Sequence, residues 1–358
     1  MYTILKLAWV FHISWCDKKE TIMYKPVIAI LLGDGAGVGP EIVADLIGRR
    51  FFDSLCRPII IGDKRILDRA FVFKGVKASV KVVSSVEEAT WNEGEDYPML
   101  DRNNLDPACA PIGTLTVECG RANLDMLTYA VELYKEKKIE GFCFGPLNKA
   151  GMKTAGCPFE SEHHLLAHEF NHTAPFGEIN VVGELWTTRT TSHIPISEVA
   201  QTLSVEKILR AITLADVSLR NSGIKEPRLA LCALNPHAGE NGLCGREEID
   251  IITPAIEEAK KRGINASGPY PSDITFIKAF RGDFDAVVTM YHDQGQIALK
   301  LKGFEQGITI AGGLPCPIVT CAHGTAYDIA GKGIVKTSAF ENAVKMCSRM
   351  ASHLKGEN

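Results

Sequence analysis

The stretch Val27-Ile-Ala-Ile-Leu-Leu-Gly-Asp-Gly-Ala-Gly-Val-Gly-Pro40, running on into Glu41-Ile-Val-Ala-Asp-Leu-Ile47, decides the fold class. Its opening apolar run has the continuous hydrophobicity of a strand covered on both faces by helices. The glycines that follow mark a tight turn, and Pro40 suits the first turn of a helix, because its missing N–H would have no partner there anyway. The unit therefore reads strand, loop, helix. The glycine spacing is G-x-G-x-G, without the wider interval of a dinucleotide fingerprint, so these glycines are expected to serve the turn and close strand–helix packing.

The same alternation extends outward. Pro58-Ile-Ile-Ile-Gly62 and Val80–Val83 read as strands, Leu124–Lys138 as an amphipathic helix, and Gly141-Phe-Cys-Phe-Gly145 as the strand after it. Ile179–Gly183, Arg228–Leu234 and Asp285–Met290 are further strands, with a helix over Val205–Asn221. Such alternation predicts an α/β protein built on a parallel sheet. Polar clusters follow two of these strands, Asn235-Pro-His-Ala-Gly239 and Tyr291-His-Asp-Gln-Gly295. In open α/β sheets, ligands sit beyond the carboxyl ends of strands, which makes these clusters candidate chemistry.

Composition narrows the classes. The 358 residues are 46% hydrophobic and 23% charged, enough for a large core and incompatible with disorder or a coiled-coil rod. A net charge of −4 offers no basic excess for a phosphate backbone, so nucleic acid is not the expected partner. The 11 cysteines are scattered without C-x-x-C pairs and read as reduced thiols, which predicts a cytoplasmic location. Residues 1–22 contain an apolar stretch broken by Lys6 and His12, too short to span a bilayer and without a signal-peptide cleavage site. They are expected to be a leader or accessory arm, with the functional chain beginning near Met23.

Three histidines stand in turn-like settings beside predicted strands: His193, His237 and His292. Three imidazoles leaving an open position are the donor set of a catalytic metal site, although spacing alone favours three unrelated loop histidines. A second group, His164, His168 and His172, would share one face of a helix, but Leu165 stands where a metalloprotease requires Glu. Lys300 could present a cation to an anionic substrate, and Asp273 and Asp293 could accept a proton.

Five ordered motifs together resemble the 4-hydroxythreonine-4-phosphate dehydrogenase family: Gly33–Glu41, Gly145-Pro-Leu-Asn-Lys149, Asn235–Glu240, Met290–Gly295 and His323-Gly-Thr-Ala-Tyr-Asp-Ile-Ala-Gly331. The resemblance implies a two-domain fold like that of isocitrate and isopropylmalate dehydrogenases, with parallel or mixed sheets and a cleft between domains. The expected division is 23–157 plus 334–358 for the first domain and 158–333 for the second. It further implies one divalent metal (Zn, Co, Mn, Ni or Mg) on His193, His237 and His292, a substrate lysine at Lys300, and an acid at Asp273. A homodimer whose partner contributes to each site is implied as well. NAD would lie on the late loop, at His323, Gly324, Thr325, Ala326, Asp328 and Ile329. A carboxylate at Asp328 can accept hydrogen bonds from a ribose diol and repels the extra phosphate of NADP.

The implied reaction oxidises a secondary alcohol of a 4-phosphorylated four-carbon hydroxy acid, with hydride leaving for NAD and carbon dioxide lost afterwards. The chain also departs from the family pattern. The Gly-His-Thr-Glu substrate segment reads Ser161-Glu-His-His164, leaving Glu162 or His163 in the histidine role. Thr309 replaces an Asn, Ile318 an Arg that holds phosphate, and Ala322 an Asp. Loss of that guanidinium removes an effective phosphate anchor. The alternatives are therefore an unphosphorylated diol acid such as an aromatic cis-dihydrodiol, or a non-catalytic sugar-acid binder.

Overall fold

The computed structural model describes residues 24–356, so the expected accessory arm falls outside the described residues. The strands are β1 Val27–Leu31, β2 Arg57–Gly62, β3 Val80–Val82, β4 Tyr97–Asp101, β5 Gly141–Phe144, β6 Gly177–Val182, β7 Leu185–Arg189, β8 Leu229–Cys232, β9 Ala266–Tyr270, β10 Ala286–Thr289, β11 Ile308–Gly312 and β12 Ile318–Cys321. The helices are α1 Gly39–Gly48, α2 Lys64–Lys74, α3 Val117–Lys135, α4 Lys149–Thr154, α5 Glu162–Glu169, α6 Val199–Thr202, α7 Val205–Asn221, α8 Thr253–Lys261, α9 Ser272–Ala279, α10 His292–Gly303 and α11 Ser338–Gly356.

All twelve strands join one sheet in the order β3-β4-β2-β1-β5-β12-β11-β6-β7-β10-β8-β9. The α/β class is as the sequence predicts, and the sheet is mixed. Strands β3 to β12 in that order are parallel, β11 is antiparallel to both its neighbours, and β6 is antiparallel to β7. Beyond β7 the strands are parallel again. Residues on both sides of the 157/158 boundary thus contribute to one sheet, and α11 packs over β5, β11 and β12.

Local signals explain the elements. In β1, Ile28, Ala29 and Ile30 are fully buried, as a strand flanked by β2 and β5 requires. Helix α3 starts at Val117, earlier than Leu124, because the Thr116 hydroxyl accepts the Cys119 N–H and caps it. Ser161 caps α5 in the same way, and that helix ends at Glu169. His172 therefore lies beyond it, and His164, His168 and His172 do not form one helical face.

The glycine loop acts as a clamp. Gly33 has φ +75°, and a Cβ there would lie 2.5 Å from the carbonyl carbon of Gly145. Backbone of the β1–α1 loop meets backbone of the loop after β5, so only glycine fits. The adjacent Asp34 carboxylate is buried and accepts from Ala36 N–H and the Tyr327 hydroxyl; the Asn148 amide in turn donates to that hydroxyl. Burial pushes the Asp34 carboxyl above its ordinary value, with these hydrogen bonds opposing. Glu41, at the start of α1, accepts from Gly331 N–H at 2.6 Å and Gly333 N–H at 2.8 Å. Val38 N–H donates to Thr325 O at 3.1 Å. Three motifs far apart in sequence are held to one another by these contacts.

Candidate active site

Strands β7, β10 and β8 are neighbours and parallel, so their carboxyl ends fall on one edge of the sheet. His193 follows β7, His292 opens α10 just after β10, and His237 follows β8. The rings of His193 and His292 lie side by side, with centroids 5.5 Å apart. His292 Nδ1 is 2.6 Å from Asp293 Oδ1, and His193 Nδ1 is 3.5 Å from Ser192 Oγ. A carboxylate on Nδ1 selects the tautomer whose Nε2 lone pair is free to bind a cation.

His237 is placed differently. From His237 to Asn241 the backbone is left-handed, with φ between +46° and +75°. Buried Glu248 pins the base of this turn, accepting from Leu234 N–H, Asn235 N–H and the Asn235 amide. His237 itself is exposed, and among the described residues no group of three His, Cys, Asp or Glu surrounds a common point. Within the described residues the rings of His193 and His292 are paired, and His237 is not grouped with them. The third imidazole is on the next strand's loop, which turns back on itself.

Two cavities adjoin on the sheet. The larger, about 780 Å³, is lined by His163, His193, Arg189 and Glu178 together with the first half of α7. The smaller, about 240 Å³, is lined by Glu162, Thr309, His323 and Gly324. Lys149 and Glu178 border both. The smaller cavity takes Phe144, Pro146, Leu147 and Lys149 from the first expected domain and the rest of its wall from the second. Adjacent residues Glu162 and His163 thus face different cavities. Glu162 Oε2 is buried without a hydrogen-bond partner, 3.3 Å from Lys149 Nζ. Burial pushes His163 below the ordinary imidazole value, so its ring is neutral at pH 7.

The floor between the cavities is a polar network for which the sequence reading offered no candidate. The Arg189 side chain is only 8% exposed and donates to Glu178 Oε2 at 2.6 Å, Asn180 Oδ1 at 2.9 Å and Ser192 Oγ at 3.0 Å. Asn180 donates to Thr309 Oγ1 at 3.1 Å and accepts from the Gln296 amide at 2.5 Å. Burial would raise the Glu178 carboxyl, but the Arg189 guanidinium and the Asn180 amide outweigh it and hold the carboxyl below its usual range. The available signal was polar residues at alternate positions of a strand, Glu178 and Asn180, which share one face.

The remaining expected residues divide. Thr309 lines the smaller cavity, as a substrate residue would. Ile318 is fully buried in β12 and lines neither cavity, which corrects its expected substrate contact: it is a core residue between β5 and β11. Asp273 is exposed at the start of α9, its carboxylate accepting the Ile274 N–H. Lys300 is exposed on α10, about 12 Å along the helix from His292 at 1.5 Å per residue. Neither lines either of these two cavities. The loop from His323 is pinned at Thr325, Gly331 and Gly333 and leaves Asp328 exposed.

Fold and site define an α/β protein with paired histidines at strand ends beside a cavity. Residues 54–347 match the family "Pyridoxal phosphate biosynthetic protein PdxA", and the chain belongs to that family. It is 37% identical over 329 residues to the 4-hydroxythreonine-4-phosphate dehydrogenase of Desulforapulum autotrophicum, covering 92% of this chain and 96% of that one. It is 36% identical over 330 residues to the D-threonate 4-phosphate dehydrogenase of Cupriavidus necator, covering 92% and 98%. The crystal structure of a 4-hydroxythreonine-4-phosphate dehydrogenase from Klebsiella pneumoniae matches with a TM-score of 0.83 at 32% identity, covering 92% and 98%. The chain is an oxidoreductase acting on a CH–OH group.

Proposed function

We propose that this chain is an NAD- and metal-dependent dehydrogenase that oxidises the secondary alcohol of a 4-phosphorylated four-carbon hydroxy acid, followed by decarboxylation. The observation that carries this reading is a single cavity whose wall combines His193, paired with His292, and the neutral His163 with a surplus of cations. The relatives named for 4-phosphorylated substrates support it over the unphosphorylated diol acid.

His193 and His292 suit a divalent cation, since both Nδ1 atoms lie beside oxygen partners and both Nε2 atoms remain as donors. His237 is the third donor of the proposal. Exposed apolar side chains follow each histidine: Ile196, Leu243 and Ile297. We assign them to the contact with a second copy, through which His237, Lys300 and Asp273 reach a site they do not line in their own chain. The 323–329 loop fits a dinucleotide, with its backbone pinned and the Asp328 carboxylate exposed to a ribose diol. When bound, the cation lowers the pKa of the substrate hydroxyl and polarises the carbonyl, and the nicotinamide receives the hydride.

The chain's own residues do the rest. His163, kept neutral by burial, accepts the hydroxyl proton. Asp293 is committed to His292, so it orients that ring in preference to acting as base. Arg189 and Asn180 hold Glu178 and Thr309 in fixed positions on the cavity floor. Free thiols at the ten described cysteines suit a reducing cytoplasm. No helix among the described residues is long and apolar enough to cross a membrane.

The test is NAD reduction with 4-hydroxythreonine 4-phosphate, D-threonate and D-erythronate 4-phosphates and their unphosphorylated forms, each with several divalent metals. Turnover of a phosphorylated acid, lost on chelation and in His163→Asn, supports the reading. Turnover of unphosphorylated acids alone, or none, overturns it.

A further inference from the structure

Residue 318 cannot hold a substrate phosphate, because Ile318 is apolar and sealed inside the sheet. Helix α7 supplies what that position lacks. Its residues Lys207, Arg210, Ala211 and Leu214 all line the larger cavity, at intervals that define one helical face. Ala211 and Leu214 on it are buried, whereas Lys207 and Arg210 are exposed at the open side of the cavity. The first turns of this face thus carry two cations and only the later positions are apolar.

These cations also differ from most basic side chains on the surface. Arg49, Lys64, Arg220, Arg228 and Arg246 each pair with a carboxylate. Among the described residues, neither the Lys207 ammonium nor the Arg210 guanidinium has a hydrogen-bond or ion-pair partner. Glu178 on the same wall is already neutralised by Arg189. Exposed His164 lines the cavity too, with Nδ1 engaged by Ser161 Oγ at 2.9 Å. Two unpaired cations one turn apart line the same cavity, and their several N–H donors suit a phosphate dianion.

We propose that Lys207 and Arg210 form the anion subsite of this enzyme, binding the phosphate of the substrate from α7. The subsite rests on the phosphorylated-substrate reading above and assigns residues to it. The phosphate would sit at the α7 end of the cavity and the reacting carbons toward His163 and His193, all of which line the same space.

The experiment uses the intact chain. Inorganic phosphate is titrated by calorimetry into the wild type, the double variant K207Q/R210Q and the charge-conserving K207R/R210K, with circular dichroism to check folding. Kinetics with a 4-phosphorylated acid and its unphosphorylated form are measured alongside. Removing both cations should weaken phosphate binding at least 10-fold and raise KM for the phosphorylated acid by about 10- to 100-fold with kcat little changed, as expected for loss of charge-assisted hydrogen bonds. The unphosphorylated acid should be unaffected, and K207R/R210K should stay near wild type. No phosphate binding in the wild type, or equal binding and equal KM in the folded double variant, overturns the subsite. Phosphate binding that depends on these cations, in an enzyme that oxidises none of the acids, keeps the subsite and removes the dehydrogenase reading.

Discussion

Replacing Glu41 by Ala tests whether the glycine loop and α1 hold the late loop in place. Glu41 is 1% exposed, and its two oxygens accept the N–H groups of Gly331 and Gly333 at 2.6 and 2.8 Å. Hydrogen bonds to a charged acceptor contribute about 1.5–3 kcal/mol each, so the pair is worth roughly 3–6 kcal/mol to the docked loop. The variant also leaves two part-buried backbone donors without their acceptor, which adds to the loss. The docked state should therefore open about 100-fold more often or beyond, since 1.4 kcal/mol is a factor of ten. Amide hydrogen exchange at Gly331 and Gly333 reads this directly, and KM for NAD should rise because Asp328 lies between the pinned points. Glu41→Gln should fall between, as its amide oxygen can accept one bond while its NH2 opposes the other. Exchange at both glycines within about threefold of wild type would refute the clamp, because no opening equilibrium would have shifted by even 1 kcal/mol.

Arg189→Ala should destabilise by about 3 kcal/mol in urea unfolding, because it leaves the Glu178 carboxylate and Asn180 without their partner; Arg189→Lys should not rescue it, since three separate acceptors are served by one planar group. The depressed Glu178 pKa contributes stability that is present above the ordinary value of 4.5 and is lost as pH falls through the lower folded value. Glu178→Gln should therefore show a shallower loss of stability on acidification below that point, read from unfolding midpoints against pH. Gly33→Ala should cost about 2–5 kcal/mol in the same measurement, combining a left-handed φ with a Cβ 2.5 Å from Gly145. His193→Ala and His292→Ala should each abolish metal retention after dialysis, and Asp293→Asn should weaken it by about 10- to 100-fold, measured as metal content per chain. Retention equal to wild type in His292→Ala would remove the paired-histidine site.

The sequence by itself determined the α/β class, the strand-loop-helix unit at Val27–Ile47 and the family, because apolar periodicity and glycine turns are local and five motifs keep their order. It also picked out His193, His237 and His292 as residues at strand ends. Only the tertiary structure decided which of them meet. His193 and His292 come together because β7 and β10 are hydrogen-bonded neighbours, a pairing no local pattern encodes, and His237 stands apart because its turn is left-handed. The same holds for Ile318, which reads as a lost anchor in sequence and is a sealed core residue in the sheet. Arg189 was illegible because a lone arginine at a strand end looks exposed until Glu178 and Asn180 are folded around it. Lys207 and Arg210 read as an ordinary helix face until the α7 stripe was seen to wall a cavity, since what a side chain faces depends on contacts made across the whole chain.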